Sequence, residues 1–319
     1  MVYLGMNKVV VIGTGNVGMS YAYALLNQKT SVDELFLVDI NRKDAEGEAL
    51  DLHDALGFSP STFKIRAGSY ADCKDAKMVV ITAGARQAEG ETRMDLLVKN
   101  TAMVKDMVSQ IMRAGFNGIF LVVTNPMDVM TYLVWQYSGL PHSQVIGSGT
   151  VLDSSRLMYA VAHKIKVSPR DIHAYVVGEH GDSEFVPWSV GTVGLESISM
   201  FLGTDTMRDI EHRVRNQAYE IIKRKGATHY GIGVCMARIT RAILNNERAI
   251  LPVSNYDPYS RIYFGWPAIV ERNGVKRRVA LRLMAGEQKK LEKSVATIKE
   301  AIKEARAAEK STGGTSGKA

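Results

Sequence analysis

The spacing of apolar positions changes along this chain in a regular way. In the first half, short runs rich in β-branched residues at 9–12, 34–38, 78–82, 119–124 and 144–147 read as strands. Between them, apolar residues recur at helical steps over 17–27, 42–54, 93–114 and 126–138. The last of these helices opens on Pro126, a residue tolerated in a first turn because its missing N–H has no partner there. Continuously apolar strands separated by helices predict a parallel sheet covered on both faces. Right-handed crossovers then make it doubly wound, with ligands at the carboxyl ends of its strands.

The pattern changes after residue 147. A helix over 151–164 leads to a strand at 172–177 and a polar loop, Gly178-Glu179-His180-Gly181-Asp182-Ser183-Glu184. Further strand-like pieces lie at 250–256, and Asn273-Gly274 between 269–272 and 275–280 predicts a hairpin. Leu291, Val295, Ile298 and Ile302 mark one face of a final helix. The expected architecture is therefore α/β. A doubly wound Rossmann domain over 1–147 is followed by an α+β domain over 148–309 and a flexible tail over 310–319, with a helical segment near 230–248 packing back on the first domain.

Composition narrows the function. With 319 residues, 46% hydrophobic and 23% charged, the chain can bury a substantial core. The net charge of +7 is spread among acids, without a basic run interleaved with aromatics, which argues against a nucleic-acid partner. It suits small anionic ligands. Cys73 and Cys235 have no metal or redox spacing and read as reduced thiols. No apolar run is long enough to cross a membrane and the N-terminus has no signal-peptide order, so a cytoplasmic protein is expected.

Candidate chemistry sits in two places. Gly13-Thr14-Gly15-Asn16-Val17-Gly18 follows a strand and opens a helix, so that Gly13 allows a tight turn, Gly15 a close backbone approach to a pyrophosphate, and Gly18 close helix–strand packing. Asp39, ending the next strand, is placed to accept hydrogen bonds from an adenosine ribose and to repel a 2′-phosphate, which favours NAD over NADP, although Arg42 lies nearby. In the second half, His180 lies in a loop and titrates near neutrality, as a group exchanging a hydroxyl proton must. Asp153, in the first turn of the 151–164 helix, is the candidate to fix its tautomer, and Arg156 three residues on can grip a carboxylate. The stretch 84–93 is polar and glycine-bounded, as a closing lid would be, or a plain surface loop. His53, His142, His163 and His212 read as surface groups, and no histidine pair has metal-ligand spacing, so no metal is expected.

Taken together, Val11-Ile12-Gly13-Thr14-Gly15-Asn16-Val17-Gly18, Thr124-Asn125-Pro126, Gly149-Thr150-Val151-Leu152-Asp153-Ser154-Ser155-Arg156 and Gly178-Glu179-His180-Gly181-Asp182 resemble the L-lactate and malate dehydrogenase superfamily over nearly the whole chain, and its bacterial L-lactate branch most closely. The resemblance implies a reversible reduction of pyruvate to L-lactate by NADH in a homotetramer. It makes His180 the proton donor and acceptor, Asp153 its partner, Arg156 the carboxylate anchor and Arg93 a lid residue that polarises the carbonyl. Asn125 would hold the substrate oxygen and, with Thr82, Ala83, Gly84 and Ser148, line the dinucleotide site, while Thr228 and Ile232 would border substrate and nicotinamide.

Lid residue Gln87 bears on the substrate. Malate-specific relatives carry arginine there, whereas a neutral glutamine suits the methyl of pyruvate and would leave the second carboxylate of oxaloacetate unpaired. Members activated by fructose 1,6-bisphosphate use an arginine two residues after the position of Arg156 together with a histidine. This chain keeps the histidine as His173 but has Met158, which removes a main anion contact and predicts weak activation at most. The rival readings are a malate or broader 2-hydroxy-acid dehydrogenase, which Gln87 disfavours, and a dinucleotide-binding relative without turnover.

Overall fold

The computed structural model describes residues 6–85 and 93–313. Six parallel strands form its centre: β1 (Lys8–Ile12), β2 (Glu34–Val38), β3 (Lys64–Ala67), β4 (Met78–Ile81), β5 (Ile119–Val122) and β6 (Val145–Gly147). They run side by side in the order β3-β2-β1-β4-β5-β6. Helices α1 (Asn16–Leu26), α2 (Arg42–Ala55), α3 (Arg93–Arg113) and α4 (Met127–Ser138) connect them. The order reverses at β1, so the first and fourth strands diverge and open a crevice at their carboxyl ends.

Alternation along β1 explains why these strands are continuously apolar. Val9 and Val11 enter one core with Tyr21 and Leu25 of α1 and Ala45 and Leu52 of α2. Val10 and Ile12 enter the opposite core with Val104 and Val108 of α3 and Met130 of α4. Both faces of the sheet are dry, and the doubly wound α/β architecture follows.

Beyond β6 come α5 (Val151–Ile165), β7 (Ile172–His173), β8 (Thr192–Val193), β9 (Glu196–Ser197), α6 (Thr204–Lys225) and α7 (Tyr230–Leu244). The chain ends with β10 (Ala249–Leu251), β11 (Ser254–Asp257), β12 (Ile262–Gly265), β13 (Ala268–Glu271), β14 (Gly274–Arg278) and α8 (Ala285–Gly313). A third core joins Leu157 and Val161 of α5 to Ile172, Val176 and Ile210. Helix α7 returns to the first half of the chain: the Tyr21 and Thr240 hydroxyls are 2.8 Å apart, and a Cβ on Gly233 would lie 2.6 Å from the Ser20 backbone.

Several elements differ from the sequence expectation. Pro252 has no N–H to donate and divides the 250–256 run in two. Upstream, β10 joins β13 and β14 in a small antiparallel sheet; downstream, β11 and β12 extend the main sheet antiparallel beyond β6. The 172–177 run is a strand only at Ile172–His173, after which Val177 and Gly178 make single bridges to Phe185 and Gly265. Edge strand β3 buries just Ile65, too little apolar alternation to read. Helix α6 fully buries only Ile210 and Val214, with Met207 packed partly against the same core, so its apolar stripe is short amid many charged residues. Rich in Ala, Lys and Glu, α8 continues to Gly313, into the stretch expected to be a flexible tail.

Candidate active site

The glycine turn lies at the carboxyl end of β1, between Ile12 and α1. Gly13 has φ +102°, and a Cβ there would sit 2.6 Å from the Ala83 nitrogen, so a side chain is excluded on conformational and steric grounds. Gly18 is equally closed, because its Cβ would strike the Gly13 carbonyl oxygen. Gly15 is different: nothing lies within 4 Å of a Cβ at that position, so packing of the protein itself does not require glycine. Open space over Gly15 beside the exposed Asn16, where α1 begins with no acidic residue in its first turn, is the cradle an anionic group fits. The next residue, Val17, is half-buried at the base of α1.

Asp39 caps this turn from the end of β2. Its Oδ2 accepts from the Thr14 N–H (2.8 Å) and hydroxyl (3.1 Å), and its Oδ1 from the Asn41 N–H (3.1 Å). The carboxylate is held rigidly while retaining acceptor capacity for a hydroxyl. Thr82, at the end of β4, donates to the Gly13 carbonyl at 2.7 Å, and Thr124 donates to the Ala83 carbonyl at 2.6 Å. Gly84 and Asn125 are exposed, whereas Ser148 is buried with its N–H on the Val122 carbonyl at 2.9 Å. The expected cofactor residues thus line up along the carboxyl edges of neighbouring strands.

The second group of side chains grows from the start of α5. Asp153 is 2% exposed and uses both oxygens: Oδ2 lies 2.7 Å from His180 Nδ1, and Oδ1 accepts from Arg156 Nη1 at 2.9 Å. Helical geometry makes this possible, since residues three apart share a face and the carboxylate can address a cation on either side. Burial alone would depress the His180 imidazole, yet the Asp153 carboxylate, with smaller pulls from Glu184 and Asp128, lifts it from 6.5 to about 9. Burial also opposes ionisation of Asp153, but His180 and Arg156 hold its carboxyl below the usual range. The imidazolium–carboxylate pair is the resting state at neutral pH, with Nε2 the ring nitrogen left to donate.

Two buried acids beside His180 were not anticipated. Glu184 is 5% exposed, and burial together with the Asp153 charge pushes its carboxyl well above the ordinary range. Asp128, in the first turn of α4, accepts from the His180 N–H at 2.7 Å and from the Ser254 hydroxyl at 2.6 Å, and burial pushes it up to about 7. In sequence Asp128 looks like an acid complementing a helix N-terminus, and Glu184 like the polar end of a loop. Buried Asn100 was also missed; it accepts from the Ala85 N–H at 2.8 Å and donates to the Asn125 carbonyl at 2.7 Å.

Asp153, His180 and Glu184 bring one ligand atom each within 4.8 Å of one another, a donor set that could hold a metal ion. Both Asp153 oxygens already face cations, however, and a further positive charge there would meet Arg156 and the imidazolium. The other expected residues are placed as follows. Thr228 is half-buried just before α7, and Ile232 is half-buried in its first turn, between Gly231 facing Leu152 and Gly233 facing Ser20. Ile232 therefore sits between the helix of the glycine turn and the helix of Asp153. His173 is exposed on β7, and Met158 packs partly into the third core. Arg93 is described by its backbone alone, as the first residue of α3, and Gln87 lies outside the described residues. Among the described residues no helix is long and apolar enough to cross a membrane, and Cys73 and Cys235 are free, buried thiols.

Comparison with known proteins agrees with this geometry. Residues 7–147 match the lactate/malate dehydrogenase NAD binding domain, and residues 150–309 the alpha/beta C-terminal domain of the same family. L-lactate dehydrogenase 2 of Bacillus cereus is 49% identical over 308 residues, covering 93% of this chain and 98% of that protein. The L-lactate dehydrogenase of Halalkalibacterium halodurans is 49% identical over 298 residues, covering 92% and 96%. Among solved structures, a lactate dehydrogenase from a Medee basin deep-sea metagenome library superposes with a TM-score of 0.92 at 48% identity, covering 94% of this chain and 99% of that one. The ligand-bound minor L-lactate dehydrogenase of Enterococcus mundtii gives 0.91 at 44% identity, covering 93% and 98%. With both family models matched in order across nearly its whole length, this chain belongs to the lactate/malate dehydrogenase family.

Proposed function

We propose that this chain is an NAD-dependent L-lactate dehydrogenase, reducing pyruvate reversibly to L-lactate. The observation that carries the reading is the Asp153–His180 pair, an imidazole held charged by a buried carboxylate with Arg156 on the same helical turn. In the proposed site Arg156 pairs with the substrate carboxylate, and Asp153 keeps its guanidinium from turning away. His180 donates its Nε2 proton to the carbonyl oxygen while Nδ1 keeps its own proton, hydrogen-bonded to the Asp153 carboxylate, so the ring neither flips nor loses its partner. Bound NADH supplies the hydride that reaches the carbonyl carbon. Arg93 stabilises charge developing on the oxygen, and Asn125 holds that oxygen. In the reverse direction, neutral His180 accepts the lactate hydroxyl proton.

Asp39 supports NAD over NADP, since a second negative charge would meet its carboxylate. The reading includes Gly13, Gly15, Asn16, Val17, Gly18, Thr82, Ala83, Gly84, Ser148 and Ile232 as the cofactor's surroundings, and Gln87 and Thr228 as the walls facing the substrate methyl. It also includes a cytoplasmic homotetramer with the domain division at 147/148. The relatives named L-lactate dehydrogenase support pyruvate over oxaloacetate, as does the neutral Gln87. Following NADH absorbance with each keto acid tests it directly. The parent is expected to prefer pyruvate, Gln87→Arg to move preference toward oxaloacetate, and fructose 1,6-bisphosphate to have little effect where Met158 replaces the arginine. A parent that prefers oxaloacetate, or turns over neither, overturns the reading.

A further inference from the structure

Resting on that reading, the geometry points to Asp128 as a positioning residue of the proton-transfer site, one that fixes the main chain of His180 against the nucleotide-binding half of the molecule. Asp153 orients the imidazole from one side of its ring, but it does not hold the backbone that carries the ring. That is done by Asp128, which is 3% exposed and accepts the His180 N–H on Oδ2 at 2.7 Å. Its other oxygen accepts from Ser254 at 2.6 Å, and Ser254 is the β11 residue paired with Gly147 at the end of β6. One carboxylate therefore fastens three segments: the start of α4, the His180 loop and the antiparallel extension of the main sheet.

The placement matters because of what else α4 carries. Asp128 follows Asn125 by three residues, across Pro126 and Met127. The residue proposed to hold the substrate oxygen and the residue proposed to protonate it are thus linked through one short stretch of chain. Without this link the loop would still be held at Gly178, which exchanges backbone hydrogen bonds with Gly265 of β12 (2.9 and 2.8 Å), and at Glu179, whose N–H donates to Ser294 of α8 at 2.6 Å. Those anchors tie it to the antiparallel extension of the sheet and to the C-terminal helix, upstream of His180 itself, and not to the segment entering α4 that carries Asn125. A neutral residue could make the same hydrogen bonds; a carboxylate adds a negative charge beside the imidazolium. The charged groups around His180 are Asp153 and Arg156 from α5, Asp128 from α4, and Glu179 and Glu184 from its own loop, with Arg215 of α6 on the Glu184 carbonyl.

Two substitutions separate position from charge. In Asp128→Asn the amide oxygen can still accept from His180 and the NH₂ can donate to the Ser254 oxygen, so both links persist without the charge. Asp128→Ala removes both links. In pyruvate reduction, D128A is expected to lose on the order of 10- to 100-fold in kcat, the scale of a misplacement near one ångström, while NADH affinity measured by fluorescence stays within about twofold. D128N should recover most of that loss and shift the alkaline fall of kcat/KM to lower pH. D128A keeping kcat within about threefold of the parent overturns the proposal, as does D128N equally impaired with an unmoved pH profile. If D128A does not fold, Ser254→Ala takes its place, with a severalfold fall in kcat at unchanged NADH affinity expected; parental kcat there, beside an unshifted D128N profile, overturns it too. Failure of the parent to turn over pyruvate would sink the function itself and is read separately.

Discussion

Replacing Asp153 by Asn removes the charge that keeps His180 protonated while leaving an oxygen able to accept from Nδ1. The structure sets the size of the effect. His180 is lifted from 6.5 to about 9 against its own burial, and its side chain is 28% exposed, so solvent screening is partial. That rise corresponds to roughly 3 kcal/mol favouring the imidazolium. Because the folded pKa is raised, the protonated form needed for pyruvate reduction is complete below the ordinary value and is lost only as pH rises through about 9. In the variant, burial is unopposed by Asp153 and the inflection should fall to about 6.5 or below. At pH 8 the protonated fraction then drops about thirtyfold, whereas near pH 5.5 it is almost unchanged. The kcat/KM profile for pyruvate, which reports the free enzyme, should show a parent-to-variant ratio that grows by at least an order of magnitude between those pH values. Loss of the Arg156 tether adds a pH-independent factor. A defect of the same size at pH 5.5 and pH 8 would refute the reasoning, because it would mean that Asp153 acts through geometry alone.

Two further substitutions test other parts of the site. Arg156→Lys replaces a planar fork by a point charge and should cost about 1.5–3 kcal/mol in kcat/KM for pyruvate, roughly 10- to 150-fold, with NADH affinity retained; equal pyruvate saturation in variant and parent rules out the clamp. Gly15→Ala meets no protein atom within 4 Å, so it should leave the melting temperature nearly unchanged while weakening NADH binding. Gly13→Ala, at φ +102° and 2.6 Å from Ala83, should instead lower the melting temperature outright. Identical behaviour of the two alanines in calorimetry and NADH titration would contradict the distinction drawn between packing and ligand approach.

Much of this protein is legible without coordinates. A run such as Val9–Ile12 is apolar at every position only if both faces of a strand are covered, so the parallel sheet and its flanking helices follow from local pattern. The glycine turn and the Asp153/Arg156 spacing are equally local, one a strand-to-helix junction and the other a single helical turn. Tertiary structure decided what local pattern does not contain. Pro252 sends the two halves of one apolar run into different sheets, and α7 crosses back to lie on α1. Asp128 becomes a buried neighbour of His180 from 52 residues away, and Glu184, although only four residues on, owes its burial to distant elements such as α6, whose Arg215 donates to its carbonyl from 31 residues further along. The physical reason is range: side-chain period and turn chemistry act over a few residues, whereas burial of a charge, and hence the protonation of an imidazole, depends on which distant segments exclude water around it.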